Sequence, residues 1–207
     1  SAGRIVPWTS DPGTGAAAPP PVALASAWND FLASYVPSPP DSDDELAALL
    51  ASALGDLAIE GGPALSTSSE GRFVEVRGAR QSLSIAICNA NPRGGGLGRQ
   101  VEETIARSEA RSALPVTVRC SPYPDRPKTK IVAQLGELVR RGGRRVVIED
   151  ADWRVMQAVA AFSAAHAGHP ELPELRRTER PLLSLASVRA ICGDELTTPR
   201  AHAPARP

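Results

Sequence analysis

Apolar residues recur at helical spacing from Val22 to Tyr35, where Leu24, Trp28, Phe31, Leu32 and Tyr35 share one face. Pro37-Ser38-Pro39-Pro40 stops that helix. Asp41 or Ser42 is placed to cap a second helix over Asp43–Leu54, with Glu45 in its first turn and Gly55 as its stop. Residues 61–71, rich in Gly, Ser and Thr, read as a loop. The period then drops to two: Arg72-Phe73-Val74-Glu75-Val76-Arg77 alternates charged and apolar residues, as a half-buried edge strand does. Leu83 to Cys88 is apolar without alternation, which predicts a central strand buried on both faces.

After that strand come Asn89-Ala90-Asn91-Pro92-Arg93, then Gly94-Gly95-Gly96-Leu97-Gly98-Arg99, then a mostly polar helix to Ser112. Leu114 to Cys120 makes the next strand, and Ser121 to Thr129 a proline-stiffened basic loop. Thr129 is placed to cap a helix over Lys130–Arg141, with Ile131, Val132, Leu135, Leu138 and Val139 inward. Val146-Val147-Ile148 is a short strand, Asp152 the expected N-cap of a helix through Ala165, and Ser184 to Cys192 a last short helix. Strands and helices in alternation imply an α/β fold: a three-layer, mostly parallel sheet, Rossmann-like or degenerate P-loop-like, with a small helical N-terminal unit. The expected divisions are a linker arm (1–21), an acidic helical unit (22–60), a loop (61–71), the α/β domain (72–196) and a flexible tail (197–207).

Charge adds an asymmetry that the net value of zero conceals. Residues 1–70 hold one basic residue, Arg4, against nine acidic ones, whereas residues 71–207 hold 22 basic and 14 acidic. The first third is therefore expected to dock on the rest, or the basic part to face a polyanion. Aromatic residues make up only 4% of the chain while Ala, Gly, Pro and Arg abound, a usage typical of bacterial genomes. The sole methionine is Met156 and the chain opens at Ser1, so an excised piece of a longer protein is expected. Cys88, Cys120 and Cys192 lack metal-ligand spacing, and His166, His169 and His202 fit no zinc pattern. No apolar run is long enough to span a membrane and no signal peptide is visible, so a reducing, cytoplasmic setting is expected.

In a parallel sheet, ligands bind beyond the carboxyl ends of the strands. Three loops share that edge: Asn89–Arg99, Ser121–Lys130 and Glu149–Asp152. Their candidate phosphate-binding residues are Arg93, Gly94, Gly95, Gly96, Gly98, Arg99, Arg126, Lys128 and Lys130. Backbone amides at a glycine turn and a helix N-terminus point at one spot, and cations add charge. A Walker-type loop needs Gly-x-x-x-x-Gly-Lys-Ser/Thr; aligned on Gly98, this chain has Arg93, Arg99 and Gln100 at the other diagnostic positions. The missing lysine and magnesium-binding hydroxyl argue against ATP hydrolysis there. The dinucleotide fingerprint fails too, with Arg99 in place of its third glycine.

A toprim-like site joins a Glu at one strand end to Asp-x-Asp at a later one. Asp150-Ala151-Asp152 matches the second half, but Asn89 or Asn91 stands where the Glu belongs. A Mg²⁺-dependent phosphoesterase or nuclease using Glu149, Asp150 and Asp152, with Asp150 and Asp152 as metal ligands, is thus the alternative to a chain with no cofactor and no catalytic residues. Two further basic clusters are candidate nucleic-acid contacts: Arg140, Arg141, Arg144 and Arg145 around a Gly-Gly turn, and Arg176-Arg177-x-x-Arg180.

Arg144–Asp152 with Trp153-Arg154-Val155-Met156, followed by Arg180-Pro181-Leu182-Leu183-Ser184-Leu185, resembles the carboxyl-terminal α/β domains of large bacterial ATPases from phage-defence and restriction loci. The resemblance covers the last third of the chain and transfers no catalytic residue. It implies an accessory domain beside a separate motor. The expected function is therefore a non-catalytic binding or assembly domain of a larger nucleotide- or DNA-handling protein, its partners other domains or subunits and DNA.

Overall fold

A computed structural model describes residues 23–38 and 40–196. The arm at 1–21 and the tail at 197–207 lie outside the described residues. The chain first forms α1 (Leu24–Ser34) and α2 (Asp43–Gly55). Helix α1 ends without a glycine because Arg154, far along the chain, donates to the carbonyls of Tyr35 at 2.5 Å and Leu32 at 2.8 Å. A guanidinium at a helix C-terminus satisfies orphan acceptors and opposes the dipole. Ser42 is the cap of α2, its hydroxyl accepting from the Glu45 N–H at 3.2 Å. Gly55 does not end the helical path: a 3-10 turn, Asp56–Glu60, follows, and Gly61 at φ 82° closes it in a conformation that favours glycine.

Five strands follow: β1 (Ser66–Glu70), β2 (Phe73–Arg77), β3 (Ser82–Ile87), β4 (Leu114–Arg119) and β5 (Arg144–Val147). They form one sheet in sequence order, β1-β2-β3-β4-β5. β3, β4 and β5 are parallel, joined by α3 (Gly96–Ala110) and α4 (Lys130–Arg140), as expected. The β1–β2 and β2–β3 pairs are antiparallel, so the sheet is mixed and not mostly parallel. The edge strand is β1, inside the segment expected to be a loop, and β2 lies one place inward. Ser66-Thr67-Ser68-Ser69-Glu70 carries no apolar alternation because it buries almost nothing; its ladder to β2 makes it a strand.

Alternate strand residues enter two separate cores. Leu83, Ile85, Ile87, Val116, Val118, Val146 and Ile148 pack with α2, α5 (Asp150–Ala165) and α7 (Ala186–Cys192). Ala86 and Cys88 pack on the other face with Leu97, Val101 and Ile105 of α3 and with Leu135 and Leu138 of α4. Helix α2 is part of the main core, with Leu46, Leu50, Leu54 and the following Leu57 buried. Each such side chain contributes about 1.5–3 kcal/mol. The few aromatics are concentrated where α1 meets α5: the Trp28 and Phe162 rings cross edge-on at 5.1 Å, and His166 stacks on Phe162 at 4.0 Å. That histidine is a packing group.

The acidic first third is locked down by one buried ion pair. Glu60 is 1% and Arg176, on α6 (Leu172–Glu179), 4% exposed. Glu60 Oε1 accepts from Arg176 Nε at 3.1 Å, and Oε2 accepts from the Leu182 and Leu183 N–H groups, both at 3.0 Å. Arg176 Nη1 also donates to Asp56 and Ser163, each at 3.2 Å. Burial pushes the Glu60 carboxyl above its ordinary value, while the Leu183 N–H and Arg176 pull it down. Among the described residues no helix is long and apolar enough to cross a membrane.

Candidate functional site

The carboxyl ends of β3, β4 and β5 lie on one edge, and α3, α4 and α5 start there. Helix α2 starts there too: Asp43, its first residue, accepts from Asn89 Nδ2 at 3.0 Å and from Gln100 Nε2 at 3.4 Å. Asn89 also joins the two central strand ends, its Oδ1 accepting from the Cys120 N–H at 2.9 Å. Gln100 Oε1 accepts from the Ala90 N–H at 3.0 Å, pinning the glycine loop to its own helix. The carboxylate of Asp43 thus ties the N-terminal helical pair to that loop.

Beneath the loops lies Arg119, 3% exposed. Its Nη1 donates to the Cys88 and Ala90 carbonyls at 2.6 and 3.1 Å, and its Nη2 to Ser121 Oγ at 2.9 Å. Tyr123 folds back under this loop and donates to the Thr117 carbonyl at 2.8 Å. Burial raises its phenol well above the usual tyrosine range. Cys88 is inert for the same reason, burial pushing its thiol up to about 11.

The glycines have two separate uses. Gly94 and Gly95 take φ values of 85° and 80°, and Asn91 Oδ1 accepts from the Arg93 N–H at 2.8 Å to close the turn. Gly98 is buried against α4: a Cβ there would stand 2.6 Å from Gln134 Oε1. The missing side chain lets α3 and α4 approach, so two helix N-termini open side by side. Neither is capped by a side chain or carries an acidic residue in its first turn. Gly95 holds the cap position of α3, and the Thr129 hydroxyl of α4 donates backward to the Arg126 carbonyl at 2.9 Å.

The cations gather around this pair. Arg93, Arg99, Arg126 and Lys128 are exposed and form no ion pair among the described residues. Lys130, the first residue of α4, lies 3.6 Å from Glu102. On the opposite face of the sheet the pattern is reversed. Asp43, Asp44 and Glu45 open α2, and Asp150 and Asp152 open α5.

The carboxylates of the alternative reading stand at the start of α5. Helix α5 begins at Asp150 with Glu149 in the cap position, so Asp152 lies inside its first turn and does not cap it. Asp152 instead accepts from the Ser187 hydroxyl at 2.5 Å and N–H at 3.4 Å, which binds α5 to the start of α7. Glu149 and Asp150 are exposed. No three His, Cys, Asp or Glu among the described residues are grouped to hold a metal ion.

In the expected nucleic-acid cluster, three of the four arginines have partners within the chain. Arg140 pairs with Glu137 at 2.6 Å, Arg141 with Glu137 at 2.6 Å and also with Glu109, and Arg144 donates to the Ile191 carbonyl at 2.6 Å. Arg145 lies 5.9 Å from the Tyr123 ring. Of the second cluster, Arg176 is buried and Arg177 pairs with Glu174 at 3.1 Å. Arg119 carries no role in the sequence reading, where Asp43 appears only as a helix start and Gln100 only as the residue in place of the Walker hydroxyl. The one available signal was an arginine and an amide at positions where an apolar strand and a phosphate loop would place other residues.

No protein-family model matches this chain, and no curated protein is significantly similar to it.

Proposed function

We propose that this chain is a non-catalytic binding and assembly domain whose sheet edge holds a phosphate-bearing partner. The observation that carries the reading is the paired start of α3 and α4. Cations at the positive end of a helix work against its dipole, costing about 0.3–1 kcal/mol each. Here Arg99 and Lys130 stand at two such ends, uncapped and with no acidic residue in either first turn, Glu102 of the next turn of α3 lying 3.6 Å from Lys130, while α2 and α5 follow the ordinary rule. An anion between them offsets that cost and accepts from the free amides. Local rules broken at one place and kept elsewhere mark a site that serves something other than stability.

The strand–glycine loop–helix order supports a degenerate phosphate loop in a Rossmann-like setting, kept for binding after loss of the lysine and hydroxyl. With the resemblance of residues 144–185, this makes the chain an accessory domain of a larger bacterial, cytoplasmic nucleotide- or DNA-handling protein of the phage-defence kind. Its partners are neighbouring domains or subunits and DNA, met through phosphates.

Titration of the chain with inorganic pyrophosphate and with a short DNA duplex, each at several salt concentrations, tests this. Removing one charge-assisted contact weakens binding about tenfold, so Arg99→Glu with Arg126→Glu is expected to weaken it by more than that. Asp150→Ala is expected to change nothing. No binding of either probe defeats the reading, and so does Mg²⁺-dependent cleavage of a phosphodiester that Asp150→Ala abolishes.

A further inference from the structure

We propose that β1 pairs edge to edge with β1 of a second copy, joining two sheets into one ten-stranded sheet about a twofold axis. Natural proteins guard an open edge with proline, lysine, a bulge or a covering element. The β5 edge is guarded: it is four residues long, opens with two arginines, and is tied through Arg144 to the end of α7. Among the described residues β1 carries no proline, lysine, bulge or covering strand, and its one charge is Glu70 at its end. Its five residues run in unbroken register with β2, and Ser66, Ser68, Ser69 and Glu70 are exposed.

The register names the partner. Antiparallel self-pairing centred on Ser68 sets Ser66 beside Glu70 of the second copy, Thr67 beside Ser69, and Ser68 beside itself. No like charges face each other. Ser66 is also the ladder partner of Arg77 on β2, and both point to the same sheet face. Each row across the joint therefore reads Arg77, Ser66, then Glu70 of the second copy. Arg77 is exposed and has no ion pair among the described residues. Arg107 holds Oε2 of Glu70, and the other oxygen has no partner among the described residues. Two strand spacings, about 9–10 Å, separate these groups, and only a serine lies between them. Two such rows, related by the axis, give two equivalent ion pairs.

Among the described residues no strand or helix pairs with the open side of β1. Gly55 of α2 lies against Thr67 Oγ1, where a Cβ would stand at 3.0 Å, which places that flank of α2 above β1. Along that flank the exposed Ala48 and Ser52 are small, and the exposed Asp44 sits at its start, 3.8 Å from where a Cβ on Gly71 would stand at the end of β1. This pairing is independent of the phosphate edge, since it uses the other end of the strand order.

Sedimentation equilibrium of the full chain over a wide concentration range is the test. The expected result is reversible association to twice the monomer mass, with amide exchange in residues 66–70 slowing as the dimer forms. Ser68→Lys sets two ammonium groups against each other on the axis and is expected to abolish association. Arg77→Glu is expected to weaken it, and Arg77→Lys to retain it. Circular dichroism matching the parent chain shows that each variant folds. A chain that stays monomeric at every concentration overturns the proposal. A dimer unmoved by both Ser68→Lys and Arg77→Glu overturns it equally.

Discussion

Arg176→Met is expected to cost the fold about 3–5 kcal/mol, read as a lowered urea midpoint, because it strands a buried carboxylate. Glu60 is sealed at 1% exposure between the 3-10 turn after α2 and the segment after α6. With Arg176 gone, two backbone N–H groups remain to face the charge. The attraction between the ions does not by itself stabilise the fold, since desolvating both offsets much of it. Changing Glu60 and Arg176 together to leucine and methionine is therefore expected to recover a good part of the loss. Were the single change as mild as a surface substitution, under about 0.5 kcal/mol, Glu60 would not be held as described.

The same carboxyl sets a pH dependence. Burial raises its value above the ordinary 4.5, so over a window opening there the folded chain keeps a proton that the unfolded chain has lost. The folded state binds more protons in that window, and this group's contribution to stability falls as pH rises through it. Removing the Arg176 charge pushes the carboxyl higher still, and the fall extends further up the pH scale. Urea midpoints across that range, for the parent chain and Arg176→Met, show both trends.

Gly143→Ala is the second large effect, expected at about 1–3 kcal/mol. Gly142 and Gly143 end α4 with paired bonds, Gly142 N–H to the Val139 carbonyl and Gly143 N–H to the Leu138 carbonyl, both at 3.0 Å. A Cβ on Gly143 would lie 2.6 Å from the Leu138 carbonyl oxygen and 2.7 Å from that of Pro115. Both obstacles are backbone, one in a helix end and one in β4, so neither swings aside. Gly136, on the exposed side of the same helix, gives the opposite sign. A Cβ there meets nothing within 4 Å, and Gly136→Ala is expected to gain roughly 0.5–1 kcal/mol. Denaturant melts of the pair separate steric from conformational effects within one helix.

The parallel half of the fold was legible because period and burial agree in it. Leu83 to Cys88 is apolar on both sides and is covered on both sides. β1 escaped because a strand of serines at a sheet edge has no pattern to betray it; the ladder that makes it a strand belongs to β2. Helix α2 was recognised by its apolar face and its cap, yet nothing local says that this face roofs β1 to β3. At the candidate site, the glycine loop and its cations were visible as residue types. Their meaning turns on which groups already have partners. That Asp152 holds the Ser187 hydroxyl, and that Arg141 lies beside Glu137 and Glu109, are contacts between segments that residue types do not announce.

The sequence order of the strands carries a consequence for the route to the fold. Every strand pairs with its neighbour in the chain, so the sheet can zip from short loop closures, which are fast. The Glu60–Arg176 pair closes a loop spanning 116 residues. Such a contact forms after the barrier, and its loss falls on the rate of opening more than on the rate of closing. Unfolding of Arg176→Met in stopped-flow is then accelerated while refolding keeps nearly the parent rate. The contact between Glu60 and Arg176 is then expected to be the last to shut and the first to open.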